Sequence, residues 1–392
     1  RFDQFSTALD CRATLACLAA LGVEVAVPGG DTVSVTGAGA QGLRAATGPL
    51  DAGNSGSTLR MLAGVLAGRP FASVLDGDAS LRARPVERVA APLRAMGARI
   101  ETTGGRPPIR IHGGPLTGID HRLEIASAQV KTAILLAGLQ ADGRTSVTEP
   151  AASRDHTERL LPCFGAPVSI AGRTVSVQGG ARLTPFDMEV PGDPSSAAFL
   201  VVAALVVPDA RVRLEGVLLN PGRIAFLDVL RRMGGAVRSG IERSDPEPVG
   251  WIEAETSALT GTDVEAAEVA SLIDELPILA VAGASARGVF RVAGAEELRV
   301  KESDRIAAIA EGLSRMGARV AERRDGLVIE GGRPLHGAPV RSRGDHRIAM
   351  ALAVAGLSAA SGATVIEDAE CVSVSFPGFF EVLERALSGE AG

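Results

Sequence analysis

The amino-acid sequence predicts an α/β protein that is built from one repeated unit and divided into two domains. Three observations lead to this prediction. The chain has 392 residues, more than one hydrophobic core normally serves. A short pattern in which a helix ends at a glycine and a strand follows recurs along the chain. Helices of two different kinds alternate between these glycines.

The recurring pattern is an apolar residue, a glycine and a return to alternating apolar residues. Glycine suits the left-handed backbone conformation that ends many helices, so each copy predicts a helix end followed by a strand. The copies lie at residues 21–25, 96–100, 164–168, 233–237 and 316–320. Most copies continue into a second short strand that ends in glycine, at residues 33–37, 109–113, 175–179 and 327–331.

The helices before these glycines are predicted to be amphipathic, as in residues 84–97 and 302–317, where apolar side chains recur on one stripe. The first such helix is residues 9–21 and the last is residues 377–387. Helices of the second kind are apolar almost all round, which predicts burial on every side. They lie at residues 59–66, 130–139, 197–207, 276–284 and 348–357. Strict alternation predicts a sixth buried helix before Arg1, which this sequence lacks.

Six such units predict two domains of three units each, with buried helices inside and with sheets and amphipathic helices outside. We expect a first domain at residues 1–190, incomplete at its start, and a second at residues 191–392. The hinge is predicted near residues 188–193, where a strand meets Pro191 and Gly192. Residues 240–250, rich in charge and proline, are predicted to form an exposed loop.

Composition excludes several classes of protein. A net charge of -6 argues against general binding of nucleic acid, which needs a basic surface. The longest apolar run, residues 197–207, is too short to cross a bilayer, and no secretory signal is present. The four cysteines and five histidines show no spacing typical of metal ligands. We therefore expect a cytoplasmic protein without a metal and with no nucleic-acid or membrane partner.

Polar residues open each helix that is predicted to be buried. Because a helix N-terminus carries unpaired N–H groups and a partial positive charge, such clusters suit phosphates and carboxylates. The alternative is simple capping of the helix. The clusters are residues 53–58, 127–129, 192–196, 274–275 and 344–347, and the arginines near them include Arg60, Arg84, Arg154, Arg305 and Arg347. Five clusters on one side of the repeat would favour a shared anion-binding cleft.

Lysine is rare in this chain. Of 40 lysine and arginine residues, only Lys131 and Lys301 are lysines. Lysine offers a compact ammonium that can release a proton, whereas arginine stays charged. Lys301 lies in the highly charged residues 299–305, so we expect that it serves chemistry there; the alternative is chance retention on a solvated helix start. His346 is a candidate acid, base or hydrogen-bond donor, and Asp274 is a candidate base or helix cap.

Together these motifs resemble the enolpyruvyl transferases, and within them the branch that acts on shikimate 3-phosphate. The residues that carry the resemblance are 50–60, 81–85, 127–131, 153–158, 273–277, 298–305 and 344–350. The resemblance implies two domains of three βαβαββ units each, an inside-out α/β barrel with buried helices inside and sheets outside. It places the active site in a cleft that closes between the domains.

The resemblance also implies a reaction. The enolpyruvyl group of phosphoenolpyruvate moves to the 5-hydroxyl of shikimate 3-phosphate, by addition and then elimination of phosphate, in aromatic amino acid biosynthesis. A monomer without cofactors is implied, as is competition by the herbicide glyphosate beside Gly56. Two alternatives remain open: transfer to UDP-N-acetylglucosamine by the same fold, and a non-catalytic or weakened protein that binds anions.

The residue roles that the resemblance implies fall into four groups. The catalytic residues are Asp274, Lys301, Glu302 and His346. Shikimate 3-phosphate is assigned to Ser127, Ala128, Gln129, Ser153, Arg154, Asp274 and Lys301. Phosphoenolpyruvate is assigned to Gly56, Arg84, Gln129, Arg305, His346 and Arg347, with support from Asn54, Ser57 and Arg60.

Three departures from the family pattern are visible. The N-terminal helix with its lysine is absent, Val374 stands where some members have lysine, and His156 stands where many have tyrosine.

Overall fold

The structure is a computed structural model, and it describes residues 1–39 and 42–388. Residues 40–41 in the first predicted domain and 389–392 at the end of the second lie outside the described residues. The chain divides into two compact units, an N-terminal unit from Arg1 to Val190 and a C-terminal unit that begins at Pro191. Each unit has a hydrophobic core of its own.

The N-terminal unit contains short helices and many short strands. Its helices are α1 (Leu9–Ala20), α2 (Gly56–Ala67), α3 (Ala79–Ala83), α4 (Glu87–Ala95), α5 (Ala128–Gly138) and α6 (His156–Cys163). Its strands are β1 (Phe2–Asp3), β2 (Glu24–Gly29), β3 (Thr32–Thr36), β4 (Leu50–Asp51), β5 (Ala72–Asp76), β6 (Arg99–Thr103), β7 (Arg106–His112), β8 (Leu116–Thr117), β9 (Asp120–Arg122), β10 (Ala141–Asp142), β11 (Arg144–Thr148), β12 (Val168–Ala171), β13 (Thr174–Gln178) and β14 (Met188–Glu189).

The C-terminal unit has the same kinds of element. Its helices are α7 (Pro194–Val206), α8 (Ala225–Arg232), α9 (Ala266–Leu272), α10 (Leu276–Ser285), α11 (Arg305–Arg315), α12 (His346–Leu357) and α13 (Phe379–Ser388), with 3₁₀ helices at Glu296–Val300 and Ala369–Val374. Its strands are β15 (Arg211–Leu218), β16 (Ala236–Arg243), β17 (Val249–Glu255), β18 (Asp263–Val264), β19 (Val289–Val292), β20 (Arg319–Arg323), β21 (Gly326–Glu330), β22 (Pro339–Arg341) and β23 (Val365–Glu367).

The sheets repeat one topology. Four sheets have the strand orders β14-β1-β3-β2, β4-β5-β7-β6, β9-β11-β13-β12 and β18-β19-β21-β20. In each of them the first two strands pair in parallel and the other pairs are antiparallel. In chain order, β4-α2-β5-α4-β6-β7 is one βαβαββ unit, and β18-α10-β19-α11-β20-β21 is another. The predicted fold class is therefore confirmed.

The glycines of the recurring pattern adopt the predicted conformation. Their φ angles are all positive, between +81° and +114°, a region that side chains with a Cβ rarely occupy. They are Gly22, Gly97, Gly165, Gly234 and Gly317. Each follows the end of a helix and precedes a strand. The positive φ that the backbone needs at these helix ends therefore explains why glycine recurs there.

The apolar helices lie inside the units. Nearly every side chain of α7 and α10 is buried, and α2 and α5 are also largely buried. Gly64 shows how closely α2 and α5 pack, because a Cβ at this position would lie only 2.1 Å from the backbone oxygen of Ala133. The predicted burial of these helices is correct. In the described part of the chain, no helix has the length and apolar character needed to cross a membrane.

Two local predictions are wrong. The helices expected at 84–97 and 302–317 begin three residues later, at Glu87 and Arg305. Pro85 disfavours helical geometry at Arg84, and Asp304 caps α11 by accepting the N–H of Ala307. The expected loop at 240–250 is mostly a hairpin, because β16 and β17 pair across it and only residues 244–248 connect them.

Candidate active site

Capping explains part of each polar cluster. Four of the five apolar helices of the described chain have a polar side chain that accepts a backbone N–H of the first turn. These caps are Ser55, Ser127, Asp193 and Asp345. The fifth helix, α10, begins after Glu275 without such a hydrogen bond. The capping alternative therefore holds for these four residues, and the rest of each cluster remains available for other contacts.

In the N-terminal unit, the first turns of α2 and α5 are joined by their side chains. Arg60 Nη1 donates to Gln129 Oε1 at 2.8 Å, and Gln129 Nε2 donates to Ser57 Oγ at 2.8 Å. Arg60 and Ser57 are 69 and 72 residues from Gln129 in the sequence. The structure thus brings three predicted site residues from two separate motifs into one chain of hydrogen bonds.

Arg84 and Asn54 extend this group. Arg84 is 6% exposed, and its Nη2 donates to Asn54 Oδ1 at 2.7 Å. Gly56 begins α2 beside both arginines: a Cβ here would lie 2.5 Å from Arg60 Nη1 and 3.4 Å from Arg84 Nη1. Two guanidinium groups can approach this helix N-terminus because residue 56 has no side chain. Such a concentration of positive charge suits an anion.

Five of the seven residues assigned to shikimate 3-phosphate occupy two neighbouring segments of the N-terminal unit, whereas Asp274 and Lys301 lie in the C-terminal unit. Ser127 caps α5, Ala128 is its first residue, and Gln129 follows. Ser153 and Arg154 lie between β11 and α6, where Ser153 Oγ donates to Glu149 Oε1. Ser127, Gln129 and Ser153 are all partly buried, so their polar groups can reach solvent or a ligand.

In the C-terminal unit, Arg305 is the centre of a cluster of carboxylates. It is 1% exposed, and its Nε donates to Asp345 Oδ2 at 2.8 Å. Its Nη1 donates to Asp274 Oδ1 at 3.2 Å, and its Nη2 donates to Glu302 Oε2 at 2.5 Å. Burial lowers the pKa of Arg305, but the three carboxylates more than offset this effect, so its pKa lies above the ordinary value.

Arg347 and Ser303 complete the cluster. Arg347 Nη1 donates to the backbone oxygen of Asp274 at 3.3 Å, and its Nε lies 3.5 Å from Asp274 Oδ1. Asp345 Oδ2 also accepts the hydroxyl of Ser303 at 3.0 Å. The cluster contains three cations and three carboxylates, and the carboxylates pair with its two arginines. The cations are Lys301, Arg305 and Arg347, and the carboxylates are Asp274, Glu302 and Asp345.

Lys301 differs from these arginines. It is partly buried, and its side chain forms no hydrogen bond or ion pair with any residue in the described parts of the chain. Burial lowers the pKa of Lys301 below its ordinary value; Asp274 and Glu302 oppose this shift, whereas Arg305 adds to it. A cation that is partly desolvated and without an ion pair is well suited to meet an anionic ligand.

His346 is neutral near pH 7. It is 6% exposed, and burial, followed by the charge of Arg347, lowers its pKa from 6.5 to about 4. Its Nδ1 has no hydrogen-bond partner among the residues that the structure describes. A neutral imidazole can donate or accept a hydrogen bond, so His346 can meet a ligand as a polar group and not as a cation.

This shift predicts a dependence of stability on pH. The folded-state pKa of His346 lies below the unfolded value, so the unfolded chain binds the proton more tightly and stability falls as pH drops from about 6.5 toward 4. Between pH 7.5 and 5 the loss amounts to about 2 kcal/mol. Urea unfolding of the parent and of His346→Gln at both pH values tests this, because the variant should lack that part of the loss. Equal losses in both proteins would contradict it.

Several contacts were not assigned from the sequence. Asp345 lies inside a recognised motif, yet its contacts with Ser303 and Arg305 span 42 and 40 residues, which the sequence does not reveal. Asp78 Oδ2 accepts a hydrogen bond from Asn54 Nδ2 at 2.6 Å, and nothing in the neighbouring sequence predicts this contact.

His156 is the first residue of α6, and Val374 ends a 3₁₀ helix. In the described chain, no three His, Cys, Asp or Glu side chains are grouped as metal ligands.

The repeated βαβαββ sheets and the two charged clusters define the enolpyruvyl transferase class. The enolpyruvyl transferase NikO from Streptomyces tendae shares this fold, with a TM-score of 0.78 at 21% identity over 98% of this chain and 88% of that one. EPSP synthase from Acinetobacter baumannii has a TM-score of 0.85 at 43% identity, covering 98% of this chain and 89% of that one.

Sequence comparison identifies the family within this class. The sequence model of EPSP synthase (3-phosphoshikimate 1-carboxyvinyltransferase) matches residues 3–383. A 3-phosphoshikimate 1-carboxyvinyltransferase from Desulforudis audaxviator is 52% identical over 377 residues, which is 95% of this chain and 88% of that protein. The chain therefore belongs to the EPSP synthase family of transferases.

Proposed function

We propose that this protein transfers the enolpyruvyl group of phosphoenolpyruvate to the 5-hydroxyl of shikimate 3-phosphate, giving 5-enolpyruvylshikimate 3-phosphate and phosphate. The strongest structural support is the group formed by Asp274, Lys301, Glu302 and Arg305, in which acidic and basic side chains lie within reach of one another. Membership of the EPSP synthase family supports the same function.

The anionic substrates need cations and helix N-termini. In this proposal, shikimate 3-phosphate contacts Ser127, Ala128, Gln129, Ser153, Arg154 and Lys301. Phosphoenolpyruvate contacts Arg84, Gln129, Arg305, His346 and Arg347, with Gly56 leaving room beside it. Because Asp274 and Glu302 pair with Arg305, we expect one of these carboxylates to move away when phosphoenolpyruvate binds to this arginine.

The chemistry requires two proton transfers in the addition step. Asp274 accepts the proton of the 5-hydroxyl as that oxygen bonds to C2 of phosphoenolpyruvate. Glu302 in its protonated form, with Lys301 beside it, supplies a proton to C3, and a tetrahedral intermediate results. Elimination then reverses the transfer at C3: a proton returns from the methyl group to Glu302, the double bond forms again and phosphate departs. His346 contributes a neutral hydrogen-bonding group to this site.

Release of inorganic phosphate tests the proposal. The full-length protein, with any residues that precede Arg1 included, is incubated with phosphoenolpyruvate and either shikimate 3-phosphate or UDP-N-acetylglucosamine. We expect phosphate only with shikimate 3-phosphate. Release with the sugar nucleotide alone would select the other transferase activity, and tight binding of shikimate 3-phosphate without turnover would identify a non-catalytic protein.

Gly56→Ala is expected to raise the KM for phosphoenolpyruvate about tenfold and to weaken inhibition by glyphosate, because the new Cβ displaces the tip of Arg60. The free energy of unfolding should change by no more than about 1 kcal/mol, since the displaced group ends a flexible side chain. Steady-state kinetics and urea unfolding measure both effects. Gly48→Ala is the control, because a Cβ there has nothing within 4 Å. A KM unchanged in Gly56→Ala would contradict the prediction.

We also propose that the protein acts as a monomer in the cytoplasm. The four cysteines are free, which supports a reducing compartment. Light scattering after gel filtration measures the molecular mass in solution, and a mass of twice the chain or more would exclude a monomer.

A further inference from the structure

Lys131, the second lysine of the chain, is buried between two glutamates. Its side chain is 1% exposed, and its Nζ lies 2.7 Å from Glu149 Oε2 and 2.6 Å from Glu158 Oε1. Both glutamate side chains are at most 5% exposed. A tetrahedral ammonium can bridge two carboxylates in a space that a planar guanidinium would overfill. This explains why lysine occurs here in a chain that otherwise uses arginine.

The three residues come from three different elements. Lys131 lies one turn into α5, Glu149 directly follows β11, and Glu158 lies in α6. A second contact joins α5 and α6, because Thr132 Oγ1 lies 2.5 Å from Thr157 Oγ1. The buried lysine therefore fixes the segment 149–158 against the N-terminal half of α5.

Glu149 connects the buried Lys131 with Ser153, one of the predicted site residues. Its Oε2 accepts from the ammonium, and its Oε1 accepts from the hydroxyl of Ser153. A hydrogen bond to an ionised carboxylate is stronger than one between neutral groups, so it holds the hydroxyl in one orientation. Glu158 also pairs with Lys131, and no hydrogen bond of Ser153 reaches it.

We propose that Glu149, oriented by Lys131, is a positioning residue that sets the place of Ser153 relative to Ser127, Ala128 and Gln129. This inference rests on the proposed function, in which these four residues contact shikimate 3-phosphate. Lys131 stands on the helix that begins with three of them, and Glu149 holds the fourth. Lys131 and Glu149 thus align two segments that we propose to bind one substrate.

Glu149→Gln and Glu158→Gln form a matched pair. Each removes one carboxylate and leaves Lys131 with the other, so the ammonium stays paired and folding is preserved. In Glu149→Gln the single amide oxygen faces the ammonium and the NH₂ group faces Ser153, which loses its charged acceptor. We expect the KM for shikimate 3-phosphate to rise about tenfold in Glu149→Gln, with the KM for phosphoenolpyruvate unchanged. Glu158→Gln should leave both values within about twofold of the parent.

Two further variants separate positioning from general loosening. Because Glu149 acts through Ser153, Ser153→Ala combined with Glu149→Gln should raise the KM no further than Ser153→Ala alone. Lys131→Met in the Glu158→Gln background leaves Glu149 without its cation and should reproduce the defect of Glu149→Gln. All are compared in the full-length protein by steady-state kinetics and by calorimetric titration with shikimate 3-phosphate.

Equal effects of Glu149→Gln and Glu158→Gln would overturn the inference, as would additive effects of Glu149→Gln and Ser153→Ala. A parent protein that neither binds nor turns over shikimate 3-phosphate would overturn both the inference and the proposed function. A working parent whose matched variants behave alike would overturn the inference alone.

Discussion

Lys301→Arg is expected to lower kcat/KM at least about 100-fold. The ammonium of Lys301 is partly buried, its pKa is lowered, and it forms no ion pair within the described chain. Arginine keeps the charge but holds its proton, and its longer fork would reach the carboxylates of Asp274 and Glu302. Those new ion pairs would occupy the donors that a substrate phosphate needs.

Phosphate release under steady-state conditions measures this effect, and urea unfolding should show a change of less than about 1 kcal/mol. The control is the reverse exchange two positions earlier, Arg299→Lys. Arg299 pairs with Asp304 and Glu322 on the surface side of the same stretch, so its replacement should alter kcat/KM no more than about threefold. Near-normal activity of Lys301→Arg would show that this lysine is not needed for the chemistry.

Arg305→Met is expected to have the largest effect on stability, a loss of about 3–5 kcal/mol. Arg305 is 1% exposed and Asp345 is fully buried, so removal of the arginine leaves a buried carboxylate without its cation. Among the residues that the structure describes, Asp345 would keep as donors the hydroxyl of Ser303 and the backbone N–H of Arg347. Turnover should also be lost, since Arg305 is one of the residues that we propose to bind phosphoenolpyruvate.

The single tryptophan of the chain, Trp251, lies in β17 of the same unit as Arg305, so its fluorescence follows unfolding of that unit. Arg305→Met combined with Asp345→Asn is the control for charge burial. The double variant should recover a large part of the lost stability while turnover stays absent, because a neutral amide is cheaper to bury than a carboxylate. If the double variant is no more stable than Arg305→Met, the loss of stability comes from packing and not from the buried charge.

Local rules in the sequence were sufficient for the framework. The five glycines with positive φ follow from backbone chirality, and the apolar helices follow from the absence of any polar face. Both signals are contained within about a dozen neighbouring residues. The errors arose where local signals compete: Pro85 and Asp304 set later helix starts, and pairing between β16 and β17 overrode the charge of residues 240–250.

The sequence by itself determined the repeat and the fold class, and it predicted the residues from which we propose that the site is built. Only the tertiary structure decided what each of these residues contacts. Arg305 meets Asp274 and Asp345 across 31 and 40 residues, and Lys131 meets Glu149 across 18. Such pairings depend on how separate elements pack, which no local periodicity encodes. The sequence therefore does not distinguish the two lysines, yet Lys131 is a buried bridge between two carboxylates, whereas Lys301 is a cation without an ion pair among the described residues.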